Sequence, residues 1–195
     1  LLLNTLADAY HETNTLDLHP FAAFIKYTQE IDPSAAAAYW TDQLQNAKGA
    51  TFPPKSKAGN VGKAKMLVKE IPIQACENNS ITKASIVRAA WAIVLARYSE
   101  SDDVTFGTSV SGRQAPVPNI GEMPGPMVAT YPVRLQMDPT KGALEFLQHV
   151  QNQAMEIVPF EQYGLQNISK LNNDAKEACD FSSLLVVQPI DRMGT

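Results

Sequence analysis

Cysteine is nearly absent from this sequence. Cys76 and Cys179 stand far apart, with no spacing that suits a metal and no further partners for a disulfide framework. Two free thiols in a reducing, cytoplasmic compartment is the reading that follows. Histidine is almost as sparse. His11, His19 and His149 lie apart from one another and from any Cys/Asp/Glu set of ligand spacing, so each reads as a solvated or capping imidazole and no metal is expected. Basic clusters are missing: 16 Lys and Arg are scattered against 20 Asp and Glu, for a net charge of −4. That argues against nucleic acid and against an anionic membrane as partners. No apolar run approaches the roughly 20 residues that cross a bilayer. Leu1-Leu2-Leu3 has neither the basic flank nor the cleavage site of a signal peptide.

Self-sufficient catalytic signatures are missing as well. No Gly-x-Ser-x-Gly elbow surrounds Ser109 or Ser111. Gly59-Asn60-Val61-Gly62-Lys63 is too short for a phosphate loop, and no Ser or Thr follows the lysine. Asp102 and Asp103 would point to opposite faces of a strand, so they read as caps at its entry and not as a carboxylate pair. There is no internal repeat, and the only biased run is Ala35 to Ala38.

What is present is enough apolar content for a real core: 195 residues, 45% of them hydrophobic and 18% charged, which is one large domain or part of a bigger one. The chain is organised around residues 102–134. Val104, Phe106, Thr108 and Val110 alternate with Asp103, Thr105, Gly107 and Ser109, the period of a strand. Met127 to Met137 is a second extended run, rich in β-branched and aromatic residues. Between them Pro116, Pro118, Gly121, Pro124, Gly125 and Pro126 exclude a helix and permit unusual backbone shapes. Two buried strands around a stiff, specially shaped loop suggest a site and not a simple hairpin.

Elsewhere the pattern predicts α/β structure. Leu1 to Tyr10 reads as the end of a helix, beginning in mid-pattern as if inside a larger fold. Residues 13–20 read as a linker, and Phe21, Phe24, Ile25 and Thr28 mark a short amphipathic helix. Asp32-Pro33 is a helix start, with Ala37, Trp40, Leu44 and Ala47 inward and Gly49 at the end. Residues 51–62 read as an exposed loop and residues 63–73 as a strand. Thr82 caps a helix with a stripe of Ile86, Val87, Ala90, Trp91, Val94, Leu95 and Tyr98. Thr140 caps another, with Ala143, Leu147, Val150 and Ala154 inward, interrupted at Ile157-Val158-Pro159-Phe160-Glu161. Residues 164–171 read as a short helix. Residues 181–188 read as a strand buried on both faces.

Several stretches resemble the condensation domains of nonribosomal peptide synthetases. Phe106-Gly107 through Ser111-Gly112-Arg113 is one. Ile120-Gly121-Glu122-Met123-Pro124-Gly125-Pro126-Met127-Val128-Ala129-Thr130-Tyr131-Pro132-Val133-Arg134 is similar to the family's Ile-Gly-x-Phe-Val-Asn-Thr-x-x-x-Arg pattern, with Met-Pro inserted and Ala129 where Asn is usual. Pro159-Phe160-Glu161 matches a later motif, although Glu156-Ile157-Val158 replaces the customary His-Gln-Asp. Phe21 to Leu44, with Tyr39-Trp40, resembles the lobe-linking helices. Each motif alone is weak, but four in the right order and spacing are strong.

The resemblance implies a chloramphenicol-acetyltransferase-like α/β fold: a mixed sheet packed with helices, in two lobes that meet at a tunnel. Residues 1–50 would end the first lobe and supply the linking helices, and residues 51–195 would form most of the second lobe. Donor and acceptor peptidyl carrier proteins would deliver 4'-phosphopantetheine arms, and the same synthetase would carry an adenylation domain. The catalytic His-His-x-x-x-Asp-Gly motif would lie upstream of Leu1, so no catalytic residue is expected in this chain, and this fragment alone would be inactive. Arg134 would brace the histidine loop through the motif's aspartate; the alternative is an ordinary arginine at a strand end. Gly107, Ser111, Gly112, Arg113, Gly125 and Met127 would belong to the tunnel floor or lobe interface; for Ser111-Gly112-Arg113 the alternative is a mere strand terminus. Pro159, Phe160 and Glu161 would shape the lobe nearby or be wholly structural. Amide formation leads the implied activities, against an epimerising, cyclising or ester-forming relative and against a non-catalytic carrier-docking lobe.

Overall fold

The computed structural model describes residues 2–11, 18–54, 65–72 and 81–188. Helix α1 spans Leu2–Tyr10 and α2 spans Ala22–Gln29. Helix α3, Pro33–Gln43, starts as its sequence dictates: Asp32 accepts a hydrogen bond from the Ser34 N–H, and Pro33 occupies the first turn, where its missing donor costs nothing. Trp40, Leu44 and Ala47 face inward, with Ala36 and not Ala37 completing the buried stripe. The helix stops at Gln43, short of Gly49.

Helix α4, Lys83–Ser99, is capped by Thr82, whose hydroxyl accepts from the Ser85 N–H. Its buried face differs from the expected one: Ser85, Arg88, Ala89, Ala92 and Leu95 turn inward, while Tyr98 is 67% exposed and Val94 38%. The helix is apolar almost all round, so hydrophobicity alone does not choose a face. Close approach does, because small side chains let neighbouring backbones come near. On that face the Ser85 hydroxyl donates to Gln151 of the facing helix at 2.7 Å.

Strand β1 spans Asp103–Val110 and β2 spans Ala129–Gln136. They pair antiparallel from Asp103↔Gln136 to Val110↔Ala129, and the loop between them contains a 3-10 turn at Ile120–Glu122. Helix α5, Ala143–Glu156, begins at Gly142; Thr140 instead bonds to Asp138. Val150 and Gln153 are its buried positions, and Ala143 is exposed. A 3-10 turn at Val158–Tyr163 follows, started by Pro159. Two short helices, α6 (Leu165–Ile168) and α7 (Asn173–Cys179), lead to strand β3, Leu184–Val186.

The sheet order is β2-β1-β3, with β3 parallel to β1. β1 is therefore central, and Val104 to Thr108 are all buried in place of the alternation expected of a one-sided strand. Among the described residues β3 lies at the edge of the sheet. Its Leu184 is 52% exposed, against the expectation of burial on both faces. An apolar run reports hydrophobicity but not lateral position in a sheet. Residues 65–72 are exposed and outside any helix or ladder, so the strand expected at 63–73 is not formed in its described part. The expected linker at 13–20 and loop at 51–62 fall mostly outside the described residues, as does Cys76. Cys179 is a free, half-buried thiol on α7, and burial pushes it up to about 11.

Two apolar clusters result. The larger joins Trp40 and Leu44 to Phe106, Tyr131, Val133 and Leu135 of the sheet and to helices α4 to α7. The smaller sits under the β1–β2 loop: Phe24, Ala115, Val117, Met123 and Met127, flanked by Phe21, Tyr27 and Ile120.

Candidate functional site

The β1–β2 loop is a built structure with its own core. Past the pair Val110↔Ala129 the ladder stops. Gly112 turns the chain with φ +71°, and a Cβ there would lie 1.9 Å from the Met127 carbonyl oxygen. That backbone shape and that contact both require glycine. Ser111 is exposed, and its hydroxyl accepts from the Arg113 N–H. Arg113 turns inward, donating to the Ile120 carbonyl at 2.6 Å and the Met123 carbonyl at 3.2 Å. Through its Nη1 it pins the loop to itself. Gly125, at φ +146°, lies against the Phe21 ring, which a Cβ would approach to 2.5 Å. Met127 is buried in the small cluster while its neighbour Val128 is 66% exposed. Gly107 is placed elsewhere: it lies inside β1 beneath the Phe181 ring, and its N–H donates to Ser183.

The turn at Val158–Tyr163 bolts this loop to the rest. The Phe160 ring stacks on Tyr39 with centroids 4.5 Å apart, and the Phe160 carbonyl accepts from the Trp40 indole at 3.3 Å. Gln162 donates to the Met127 carbonyl at 2.8 Å. Pro159 is exposed, but Glu161 is only 4% exposed, and its Oε1 has no hydrogen-bond partner. A buried carboxylate without a cation or donor is costly, and burial pushes Glu161 up to about 7. Tyr27 and Tyr131 are both raised, first by burial; the charge of Glu161 adds to this, and for Tyr131 Arg88 opposes it.

Arg134 stands at the other end of β2. From Met127 to Arg134 an extended strand covers about 23 Å. Its guanidinium grips Asp103 through two bonds, Nε to Oδ1 at 2.9 Å and Nη2 to Oδ2 at 2.6 Å, and Nη1 donates to the Gln45 carbonyl. A planar fork matched to a carboxylate holds it in one orientation. These three bonds use three of the five N–H groups that a guanidinium carries. A cleft of about 270 Å³ opens beside Asp103, lined by Lys48, Phe52, Leu95, Ser99 and Thr105 among others; the Ser99 and Thr105 hydroxyls are buried and unpartnered.

The structure thus brings Ser111, Gly112, Arg113, Gly125 and Met127 together, links them to Phe160 and Glu161 through Gln162, and sets Arg134 and Gly107 apart. Two participants were not singled out by the sequence. Asp103 read as a strand cap, because its pairing depends on a register set across a long loop. Gln162 follows Pro-Phe-Glu directly, and only that adjacency marked it. Among the described residues no group of three His, Cys, Asp or Glu could hold a metal, and no helix is long and apolar enough to cross a membrane.

Comparison with known proteins places this geometry in context. The family model described as "Condensation domain" matches residues 1–192. A nonribosomal peptide synthetase of Metarhizium robertsii, dtxS1, is 40% identical over 190 residues, 97% of this chain and 2% of that protein. The synthetase TES of Alternaria alternata is 42% identical over 177 residues, 88% of this chain and 3% of that protein. Peramine synthetase A of Epichloe festucae is 38% identical over 192 residues, 98% of this chain and 7% of that protein. The chain therefore spans a small part of the relatives it matches. Among solved structures, one named CT shares the fold with a TM-score of 0.69 at 21% identity, over 97% of this chain and 43% of that one. The starter condensation domain of rhizomide synthetase, solved with C8-CoA and Leu-SNAC, does so with a TM-score of 0.66 at 20% identity, over 94% of this chain and 43% of that one.

Proposed function

This chain belongs to the condensation-domain family of nonribosomal peptide synthetases, and from that premise we propose that it forms one wall of a site that makes amide bonds between carrier-bound substrates. Residues 1–50 end the first lobe and supply linking helices, and residues 51–195 make most of the second. The substrates are an acyl or peptidyl thioester and an aminoacyl thioester, each on a 4'-phosphopantetheine arm of a carrier protein. The acceptor amine attacks the donor thioester carbon, the C–S bond breaks, and the proton lost by the amine ends on the departing thiol. The group that positions or deprotonates the amine is a histidine outside this chain. An adenylation domain of the same synthetase supplies the activated amino acid.

In this reading the chain's own residues orient. Arg134, already fixed by Asp103 and Gln45, has N–H groups left to brace the loop that carries the histidine. Ser111, Gly112 and Met127 shape the wall along which an arm runs. The observation that carries the proposal is the family match over residues 1–192. The test is to load the full-length protein's carriers with donor and acceptor thioesters and weigh the product. An amide of the two acyl groups is expected. An ester, a ring or an epimerised acceptor in its place would assign the chain to another member of the family, and carrier binding with no product would make it a docking lobe.

A further inference from the structure

Beyond Val110↔Ala129 the two limbs of the β1–β2 loop no longer pair, yet they stay in van der Waals contact at Gly112 and Met127. What spans the gap is a side chain from a different element. The Gln162 amide nitrogen lies 2.8 Å from the Met127 carbonyl oxygen, and that nitrogen would also meet a Cβ placed on Gly112 at 2.8 Å. One amide therefore touches both limbs where the strands part. On either side the chain turns to solvent, at Ser111 and at Val128. These are the loop's first and last exposed positions.

We propose that Gln162 is a positioning residue for the condensation reaction: it acts as a splint that replaces a missing ladder bond and fixes the spacing of Ser111 and Val128, and hence the wall they present to a carrier-bound substrate. The inference rests on the proposed amide-forming reading. A side-chain donor suits this task because Met127 is held from below by the small cluster, with Phe24, Val117 and Met123. Its carbonyl is thereby fixed in place and needs a partner that can reach it from outside the sheet. The same turn is anchored through Phe160 to Tyr39 and Trp40, so the splint is rooted in the main core.

The test uses the full-length protein with loaded carriers. Gln162→Leu keeps the bulk and removes the donor. It is expected to lower kcat roughly 10- to 100-fold with KM for the acceptor carrier within about twofold, as misplacement without lost binding does. Gln162→Glu gives a finer readout. As a carboxylate it has no proton to donate, but when protonated it can donate to the Met127 carbonyl. Its turnover relative to wild type is expected to recover as pH falls toward about 5, the upper edge of the ordinary glutamate range, whereas the Gln162→Leu ratio stays flat. Tyr27 and Tyr131, raised above their ordinary value, stay neutral over this range, and the Gln162→Leu ratio shows what Glu161 contributes without a second carboxyl beside it. Hydrogen exchange on the same samples separates the causes. Faster exchange confined to residues 111–128 in Gln162→Leu supports the splint. Wild-type turnover and unchanged exchange in that variant would overturn it, as would a loss of protection spread evenly over the domain. If wild type itself makes no amide, the reaction assigned above is wrong, and the exchange pattern alone judges the splint.

Discussion

At the scale of single residues, two charged groups carry opposite lessons. Arg134 is 11% exposed and holds Asp103 in a two-point grip. Arg134→Ala removes both the grip and the N–H groups left for a neighbouring loop, and is expected to lower amide formation about 100-fold or more, since lost electrostatic bracing costs a few kcal/mol. Arg134→Lys keeps the charge but not the fork, and is expected to recover only part of the loss. Rapid-quench measurement of amide product decides, and wild-type rates in Arg134→Ala would remove the residue from the mechanism. Glu161 is the reverse case, a carboxyl whose environment favours the neutral form. Unfolded it titrates near 4.5; folded it is pushed up to about 7. Between those values the folded protein holds the extra proton, so stability falls as pH rises from about 4.5 to 7 and levels off above that. At about 1.4 kcal/mol per pKa unit the loss is on the order of 3 kcal/mol. Glu161→Gln does not titrate. Relative to wild type it is expected to gain hydrogen-exchange protection of the domain at pH 8 and little at pH 5. An equal difference at both pH values would contradict this.

At the scale of elements, the loop between β1 and β2 depends on glycine in a way that can be measured. Gly112→Ala must adopt φ +71° and thrust its Cβ into the Met127 carbonyl, so a loss of about 2 kcal/mol or more is expected. Gly121→Ala, in the same loop, meets nothing within 4 Å and is expected to change stability by less than about 0.5 kcal/mol. Melting curves of the two variants test the contrast; equal shifts would contradict it. Much of this loop was legible beforehand. The Pro/Gly spacing excluded a helix, the flanking runs announced strands, and Asp32-Pro33 and Thr82 marked two helix starts. The part Arg113 plays inside the loop was not legible, because only the folded loop brings the Ile120 and Met123 carbonyls within its reach. Asp103 was missed because diagonal partners on two strands are invisible until the register is known. The buried face of α4 was misread because Ala89 and Ala92 look neutral in a pattern of larger apolar residues. Helix α7 escaped notice because its stripe is only Ala175 and Ala178, although Asn172 caps it in the ordinary way.

At the scale of the whole molecule, the arrangement is two clusters joined by one turn. The main core unites α3, the sheet and α4 to α7, and the small one carries the loop on α2. The Val158–Tyr163 turn connects them through Phe160 on one side and Gln162 on the other. The Pro/Gly constraints of one surface loop are thereby tied to both clusters, and the proposed reading makes the shape of that loop the chain's contribution to the site. The family match places the chain among condensation domains, and solved structures share its fold. The claim that remains to be tested is that the loop lines the path of a carrier-bound substrate. A structure of the full-length protein, with an unreactive aminoacyl analogue on its carrier's phosphopantetheine arm, tests this most directly. The arm is expected to run past Ser111, Gly112 and Val128, with Arg134 braced against a carboxylate from the opposite lobe. A loop facing bulk solvent, with the arm following another surface, would contradict the account.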